Sequence, residues 1–219
     1  MSGARAAGRV PVSLACLALA AALAMLPAAA CSRIPRIIVL EDPLSAAEHL
    51  DLGVAYERKG ELDLAAREYE RALRRDGRLV QARVNLGNVR LAQKKYAEAR
   101  REYLRALEHR PGFLDAENNL AWVAILSGEG IDAALTRLEA ALAAAPSRPP
   151  AVLDTLGVLR LRANRPELAE AAFAEAESAC LELRSRQGDA ACPEATLREI
   201  RDHIETLRGH SPLLPWHRL

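Results

Sequence analysis

The sequence predicts an all-α fold, an α-solenoid in which pairs of helices stack along the chain. The first observation is a repeat: the dipeptide Leu52-Gly53 recurs in similar form at intervals of 34, 34 and 36 residues. The second is composition, because Ala, Leu, Glu and Arg dominate and aromatic residues make up only 4%; these residues lose little side-chain freedom in helices. The third is that the repeating region contains no useful run of strand-like alternation.

Two sets of positions recur in register. The first set is a bulky residue followed by a small one: Leu52-Gly53, Leu86-Gly87, Leu120-Ala121 and Leu156-Gly157. The second set is an alanine with a large apolar residue four places later: Ala65 and Tyr69, Ala99 and Tyr103, Ala134 and Leu138, Ala169 and Phe173. Because small residues let two helices approach closely and bulky residues fill the space between them, each repeat is predicted to be one packed helix pair.

This pattern resembles the 34-residue signature of tetratricopeptide repeats. The resemblance covers 45–178, about 60% of the chain, and implies four helix pairs. The large aromatic residue that the family usually carries at the fourth position of each repeat is absent. We interpret the residues found there as local adjustments that leave the stack intact. In the order of the repeats they are His49, Arg83, Glu117 and Leu153.

Helix boundaries can be predicted from capping and breaking residues. Ser45 and Glu48 have the spacing of a capping box, which begins the first helix. Pro111 and Pro146 end second helices. The first helices are expected to end at residues that tolerate a left-handed backbone, namely Gly60, Gly128 and Asn164, with Lys94 as the exception in residue type.

The first thirty residues have the pattern of an export signal. Arg5 and Arg9 precede an apolar stretch, and small residues follow it. The ending resembles the lipobox of bacterial lipoproteins, which implies that Cys31 is lipidated, although Ala28 stands where that family prefers leucine. The alternative is a plain signal peptide cleaved near Ala30. Residues 31–44 would then be an apolar linker that lies against the first repeat, pairs with a partner as a strand, or rests on the membrane.

The region 179–219 is predicted to be a C-terminal cap and tail. The helix that contains Ala176 should run on to a turn at Gly188. A closing helix should extend from Pro193 to about Arg208, with one apolar face formed by Leu197, Ile200, Ile204 and Leu207. In an oxidising compartment Cys180 and Cys192 are expected to form a disulfide that fastens this helix to the fourth repeat. Two unrelated buried thiols are the alternative. The tail around Trp216 packs on the cap or contacts a partner.

The sequence contains no arrangement typical of an enzyme or a metal site. It has no nucleophile elbow, phosphate loop or H-E-x-x-H motif. The five histidines are scattered, and His203 has no sequence neighbours that suggest ligation. We therefore expect no catalytic residues, no metal and no cofactor. With a net charge of +1, the chain does not have the excess of basic residues that is typical of a nucleic-acid-binding protein.

The resemblance implies instead that the first helices line a concave groove for a partner protein or peptide. Asparagine is a poor residue for a helix interior, yet several occupy groove positions. They resemble the asparagine ladder with which some family members bond a peptide backbone; alternatively, they bond one another or are merely solvated. Trp122 is either an exposed anchor or part of the core. The expected partner-binding residues are Asp51, Asn85, Asn88, Asn118, Asn119, Trp122 and Thr155.

Taken together, these features predict a non-catalytic adaptor or scaffold of the bacterial cell envelope. It would be exported and anchored by lipid, facing the periplasm, with Ser32 after the cysteine favouring the outer over the inner membrane. One alternative is an accessory or regulatory subunit of a periplasmic enzyme or of a secretion, polysaccharide or pilus assembly machine. Another is a self-assembling repeat protein, a homo-oligomer in which the linker or tail docks on a second copy.

Overall fold

The computed structural model describes residues 42–209. Residues 1–41 and 210–219 lie outside them, and with them the predicted signal, Cys31, most of the linker and the tail with Trp216. The chain divides into two compact units, 1–42 and 43–219, and the described residues fall almost wholly in the second. Within 42–209, no helix is both long and apolar enough to cross a lipid bilayer.

The second unit is an antiparallel stack of helices, as the repeat predicted. Four pairs succeed one another along the chain: α1 (Ala46–Arg58) with α2 (Leu62–Arg75), α3 (Val80–Ala92) with α4 (Tyr96–His109), α5 (Leu114–Ser127) with α6 (Ile131–Ala144), and α7 (Pro150–Arg162) with α8 (Pro166–Gln187). A 3-10 turn, Asp189–Ala191, leads to the cap α9 (Glu194–Leu207). Each helix packs on the next, and first helices of successive repeats also touch.

The predicted helix boundaries are confirmed. Ser45 and Glu48 form both hydrogen bonds of the capping box. The turns after the first helices are left-handed at Gly60, Gly128 and Asn164, as expected. Lys94 also adopts φ +59°, so the turn of repeat two has the left-handed shape of the turns at Gly60 and Asn164 despite carrying a side chain that disfavours it.

Close contact within a repeat depends on the small residue of its first helix. A Cβ added at Gly87 would lie 2.5 Å from Cε1 of Tyr103, closer than two carbon atoms can approach. Gly53 faces Tyr69 and Gly157 faces Phe173 in the same way. Repeat three has Ala121 at this position, and the second helix there offers Leu138 instead of a ring. The small residue and the large one therefore vary together.

The unusual fourth positions are explained by buried ion pairs inside each of the first three repeats. His49 Nδ1 lies 2.8 Å from Glu68 Oε2, and Arg83 Nη1 lies 3.4 Å from Glu102 Oε2. In repeat three the charges are exchanged, because Arg137 grips the carboxylate of Glu117 with bonds of 2.7 and 2.9 Å. These pairs replace the apolar contact that the family makes with its aromatic residue. The repeat register places these residues at the fourth positions, but it does not identify their partners.

Successive repeats are joined by further ion pairs. Arg90 on α3 reaches back to Glu70 on α2, with 2.7 Å between nitrogen and oxygen. Arg160 on α7 reaches back to Glu139 on α6 at 2.9 Å. The arginines occupy the same position in repeats two and four, so the contact recurs every second repeat. Because these side chains are partly exposed, each pair contributes modestly, about 0–1 kcal/mol.

The cap behaves as one more first helix. It packs on α8 and touches α7, as each first helix touches the repeat before it. Leu197, Ile200 and Ile204 are buried on the face that the sequence predicted. Cys180 at the end of α8 and Cys192 before α9 are joined as a disulfide, with their Cα atoms 5.4 Å apart. Arg184 adds ion pairs across the same turn, to Asp189 and Glu194.

Candidate functional site

The first helices of repeats two and three border a cavity of about 440 Å³ that is open to solvent. Its walls come from α3, from the left-handed turn after α3, from the first residue of α4 and from α5. Apolar groups dominate the lining, and two asparagines supply the polar wall. The residues that line it are Asn88, Leu91, Ala92, Lys94, Tyr96, Asn119 and Leu126. We call it the Asn88–Asn119 cavity.

A hydrogen-bonded network fixes the polar wall. The Oδ1 atom of Asn88 accepts from the Tyr103 hydroxyl at 2.8 Å and from Nδ2 of Asn119 at 2.8 Å. Burial, with a smaller contribution from the charge of Glu57, raises the pKa of Tyr103 well above its usual range, so the phenol remains a donor. Since both donors converge on one oxygen, the amide planes of Asn88 and Asn119 are held in place before any partner arrives.

The other predicted groove residues lie in varied settings. Asp51 is exposed on α1, and Asn85 on α3 is half-buried, accepting from Gln81 Nε2 at 2.9 Å. Asn118 on α5 is half-buried, and its Oδ1 atom is buried without a hydrogen-bond partner among residues 42–209. Such an oxygen costs about 1–3 kcal/mol in desolvation. Trp122 is half-buried and packs against the core of the C-terminal half. It is therefore partly a core residue and partly exposed, between the two alternatives that the sequence left open.

The expectation for Thr155 is wrong. Its side chain is buried, and its hydroxyl donates to the Ala151 carbonyl oxygen at 2.9 Å. The neighbouring residue Asp154 is buried as well and bonds His203 of the cap at 2.7 Å. Because α9 packs against this end of α7, the first helix of repeat four does not present Thr155 to a partner.

The sequence around His203 suggested no ligation, but the structure brings two carboxylates close to it. Glu199 stands one helical turn before it on α9, and Asp154 approaches from α7. One ligand atom from each of the three residues lies within 4.8 Å of the other two. The sequence separation of 49 residues between Asp154 and His203 hides this arrangement, and only the i, i+4 spacing of Glu199 and His203 on a predicted helix could have indicated it.

Comparisons with known proteins agree with this architecture. A sequence model of the tetratricopeptide repeat matches residues 36–79, 50–113 and 84–149, together more than half of the chain. A comparison with curated proteins gave no match.

Solved structures resemble the fold at low sequence identity. The Pseudomonas aeruginosa protein pilF is 24% identical, with a TM-score of 0.57 over 81% of this chain and 82% of that one. MamA from Desulfovibrio magneticus RS-1 is 19% identical, with a TM-score of 0.56 over 75% and 94%. YrrB, described as a tetratricopeptide-repeat protein with an unusual peptide-binding site, is 20% identical, with a TM-score of 0.52 over 75% and 87%.

At these identities the solved structures establish the shared fold, and the sequence match establishes the family: this chain belongs to the tetratricopeptide-repeat family.

Proposed function

We propose that this protein is a non-catalytic adaptor that binds an extended segment of a partner protein across the Asn88–Asn119 cavity. Membership of a family of helical repeat scaffolds supports a role in protein interaction. The observation that carries the proposal is the cavity itself, because its apolar walls suit one or two aliphatic side chains and its polar wall suits a peptide backbone.

The fixed amides define what the partner must offer. With Asn88 Oδ1 occupied by Tyr103 and Asn119, the amide nitrogen of Asn88 can donate and the Oδ1 atom of Asn119 can accept. One donor and one acceptor at fixed positions match the carbonyl and N–H of a peptide unit in extended conformation. A rigid site loses less entropy when the partner binds. The partner is therefore an extended strand that places an aliphatic side chain between Leu91 and Leu126.

Trp122 stands in repeat three at the position that Asn88 holds in repeat two, and its half-exposed ring offers apolar contact beyond the cavity.

The proposed location is the cell envelope, with the mature chain beginning at a lipidated Cys31. The support is the sequence of the first thirty residues together with a cysteine pair placed for a disulfide, which persists in exported proteins. Labelling cells with a fatty-acid analogue tests it. Incorporation into the wild type and its loss in Cys31→Ser are expected, whereas a cleaved, unlabelled wild-type chain would show that the signal is an ordinary one.

Site-specific photocrosslinking tests the binding site directly. A photoreactive amino acid at Leu91, inside the cavity, is compared with the same group at Leu104, which is exposed on α4 outside it. Capture of a defined partner segment from Leu91 alone is expected, and mass spectrometry of the adduct identifies the segment. Equal capture from both positions, or capture only from Leu104, would place binding elsewhere.

Affinity measurements with the identified segment as a synthetic peptide complete the test. Asn119→Ala removes an acceptor and frees Asn88, so the dissociation constant should rise about five- to tenfold, as expected for about 1 kcal/mol or slightly more. Gln81→Ala is the matched control, since it removes an exposed amide from α3 outside the cavity lining. An equal loss in both variants would contradict a site centred on the cavity.

A further inference from the structure

The junction between the cap and the fourth repeat contains three side chains of metal-ligating type. Asp154 projects from α7, and Glu199 and His203 come from one face of α9. Asp154 and His203 are buried, with 5% and 2% of their surfaces exposed, while Glu199 stands at the exposed edge. The ring of His203 is held against Phe173, with 5.3 Å between ring centroids. Two ligands are thus fixed by the core and the third borders solvent.

The spacing of these groups fits a divalent cation. Zinc bonds to histidine nitrogen and carboxylate oxygen are about 2.0–2.2 Å long, which places neighbouring ligand atoms about 3–3.5 Å apart. Nδ1 of His203 and Oδ1 of Asp154 lie at hydrogen-bond distance, 2.7 Å apart, and the ligand atoms of all three residues lie within 4.8 Å of one another. A cation would fit between them after the His203–Asp154 pair opens by roughly half an ångström and the Glu199 carboxylate moves closer. The i, i+4 pair on α9 presents both of its ligands to the same point.

The electrostatics of the cluster also favour a cation. The Glu199 side chain is exposed at its edge but partly desolvated, and this desolvation, with a further contribution from the charge of Asp154, raises the pKa of Glu199, while His203 partly opposes the shift. Two carboxylates close together in a partly desolvated site repel each other. A divalent cation between them would remove that repulsion.

We propose that Asp154, Glu199 and His203 form a binding site for a divalent transition-metal ion of the zinc class, which fastens the cap to the fourth repeat. One imidazole and two carboxylates provide the nitrogen and oxygen donors that zinc accepts, and water takes the fourth position on the exposed side. The ion enters from the side of Glu199. It joins α7 to α9, whereas the disulfide joins α8 to the segment before α9, so the two fastenings are independent.

The first repeat provides a natural comparison. His49 and Glu68 are also a buried histidine and carboxylate, with 2.8 Å between Nδ1 and Oε2. Their neighbour is a cation, because Nη1 of Arg71 lies 2.8 Å from the other oxygen of Glu68. A guanidinium repels a metal ion where Glu199 would bind one. The two histidines therefore share burial and a carboxylate and differ in the third group.

Calorimetric titration of the EDTA-treated full-length protein with Zn²⁺ tests the proposal. The wild type should bind one ion at this site and gain thermal stability by circular dichroism. Glu199→Gln should weaken binding by about tenfold or more, because an amide oxygen is a poorer zinc ligand, and His203→Gln should weaken it further. His49→Gln is the matched control and should bind as the wild type does.

The outcomes separate the proposal from binding at surface histidines. Glu199→Gln changes an exposed side chain and should keep the fold, so its result decides the matter even if His203→Gln does not fold. Zn²⁺ binding that is unchanged in Glu199→Gln, or that is absent from the wild type, overturns the proposal. Equal loss in His49→Gln and Glu199→Gln would likewise show that the cluster is not the site.

Discussion

The contact between Gly87 and Tyr103 predicts an effect opposite in sign to helix propensity. Alanine is the better helix former by about 1 kcal/mol, so Gly87→Ala on α3 would stabilise an isolated helix. In the protein, the new methyl group would lie 2.5 Å from the ring of Tyr103. The ring is fully buried and tied to Asn88 through its hydroxyl, so it cannot move away without breaking other contacts.

The expected magnitude is the difference between these opposing contributions. Overpacking a core costs about 1–3 kcal/mol, and a contact this short lies at the upper end. After the gain in helix propensity is subtracted, Gly87→Ala should lower the free energy of unfolding by about 1–2 kcal/mol. Denaturant titration followed by circular dichroism measures this change.

Repeat three supplies the matched rescue, since it combines Ala121 with Leu138. Tyr103→Leu alone should destabilise, because it leaves space beside Gly87 and removes the hydroxyl from Asn88. The double variant Gly87→Ala, Tyr103→Leu should be more stable than the two separate losses predict, with a coupling of about 1–3 kcal/mol. A stabilising Gly87→Ala, or strictly additive losses, would refute the packing argument.

Three further predictions concern charge, protonation and backbone. Glu117→Arg should lower the free energy of unfolding by about 3 kcal/mol, because it faces Arg137 with a second cation in a buried position. Adding Arg137→Glu should restore most of the loss in the same denaturant assay, and a double variant no more stable than the single one would contradict the pairing. Burial raises the pKa of both Tyr69 and Tyr103, with Glu57 contributing at each, so an ultraviolet titration should show two phenols still protonated at about pH 11, one unit above the ordinary tyrosine pKa. The stability that the two buried phenols contribute is complete below the pKa of tyrosine in the unfolded chain and is lost as pH rises towards the pKa values in the folded protein. Tyr69→Phe and Tyr103→Phe should each remove one phenol that ionises late. Early ionisation of all phenols in folded protein would argue against burial as the cause of the raised pKa. Lys94→Gly should raise the free energy of unfolding by about 0.5–1 kcal/mol, because it relieves the strain of a lysine in the left-handed backbone conformation. Because Lys94 lines the cavity, the same variant should bind the partner peptide less tightly. A destabilised variant would show that the turn is not strained.

The sequence was sufficient for the stacking because the repeat is a local signal. Leu86-Gly87 and Tyr103 are spaced by the helices and turn of one repeat, so their register predicts that they meet. The pairing of Glu117 with Arg137 could also have been predicted, since the charges change together at an offset of 19 or 20 residues, about one helix and one turn. It was missed because the fourth positions were considered without the second helices that face them.

The cap shows where sequence reasoning fails. The apolar face of α9 was predicted from its periodicity, but the rotation of that face over α7 depends on the turn after Gly188 and on the disulfide. A small change in that turn decides whether His203 meets Asp154 or solvent. The prediction for Thr155 treated the fourth repeat like the other three and failed for the same reason, because the repeat register contains no information on how the cap packs against the last repeat.

The exchanged charges of repeat three have a consequence for the fidelity of folding. An array of similar helix pairs can fold out of register, with a first helix docking on the second helix of another repeat. If α5 took the place of α3 against α4, Glu117 would meet Glu102, and if α3 took the place of α5 against α6, Arg83 would meet Arg137. Each error buries two like charges, whereas correct pairing joins opposite ones. Because repeat four carries the uncharged Leu153 at this position, the electrostatic cost opposes the exchange of helices between repeat three and repeats one and two.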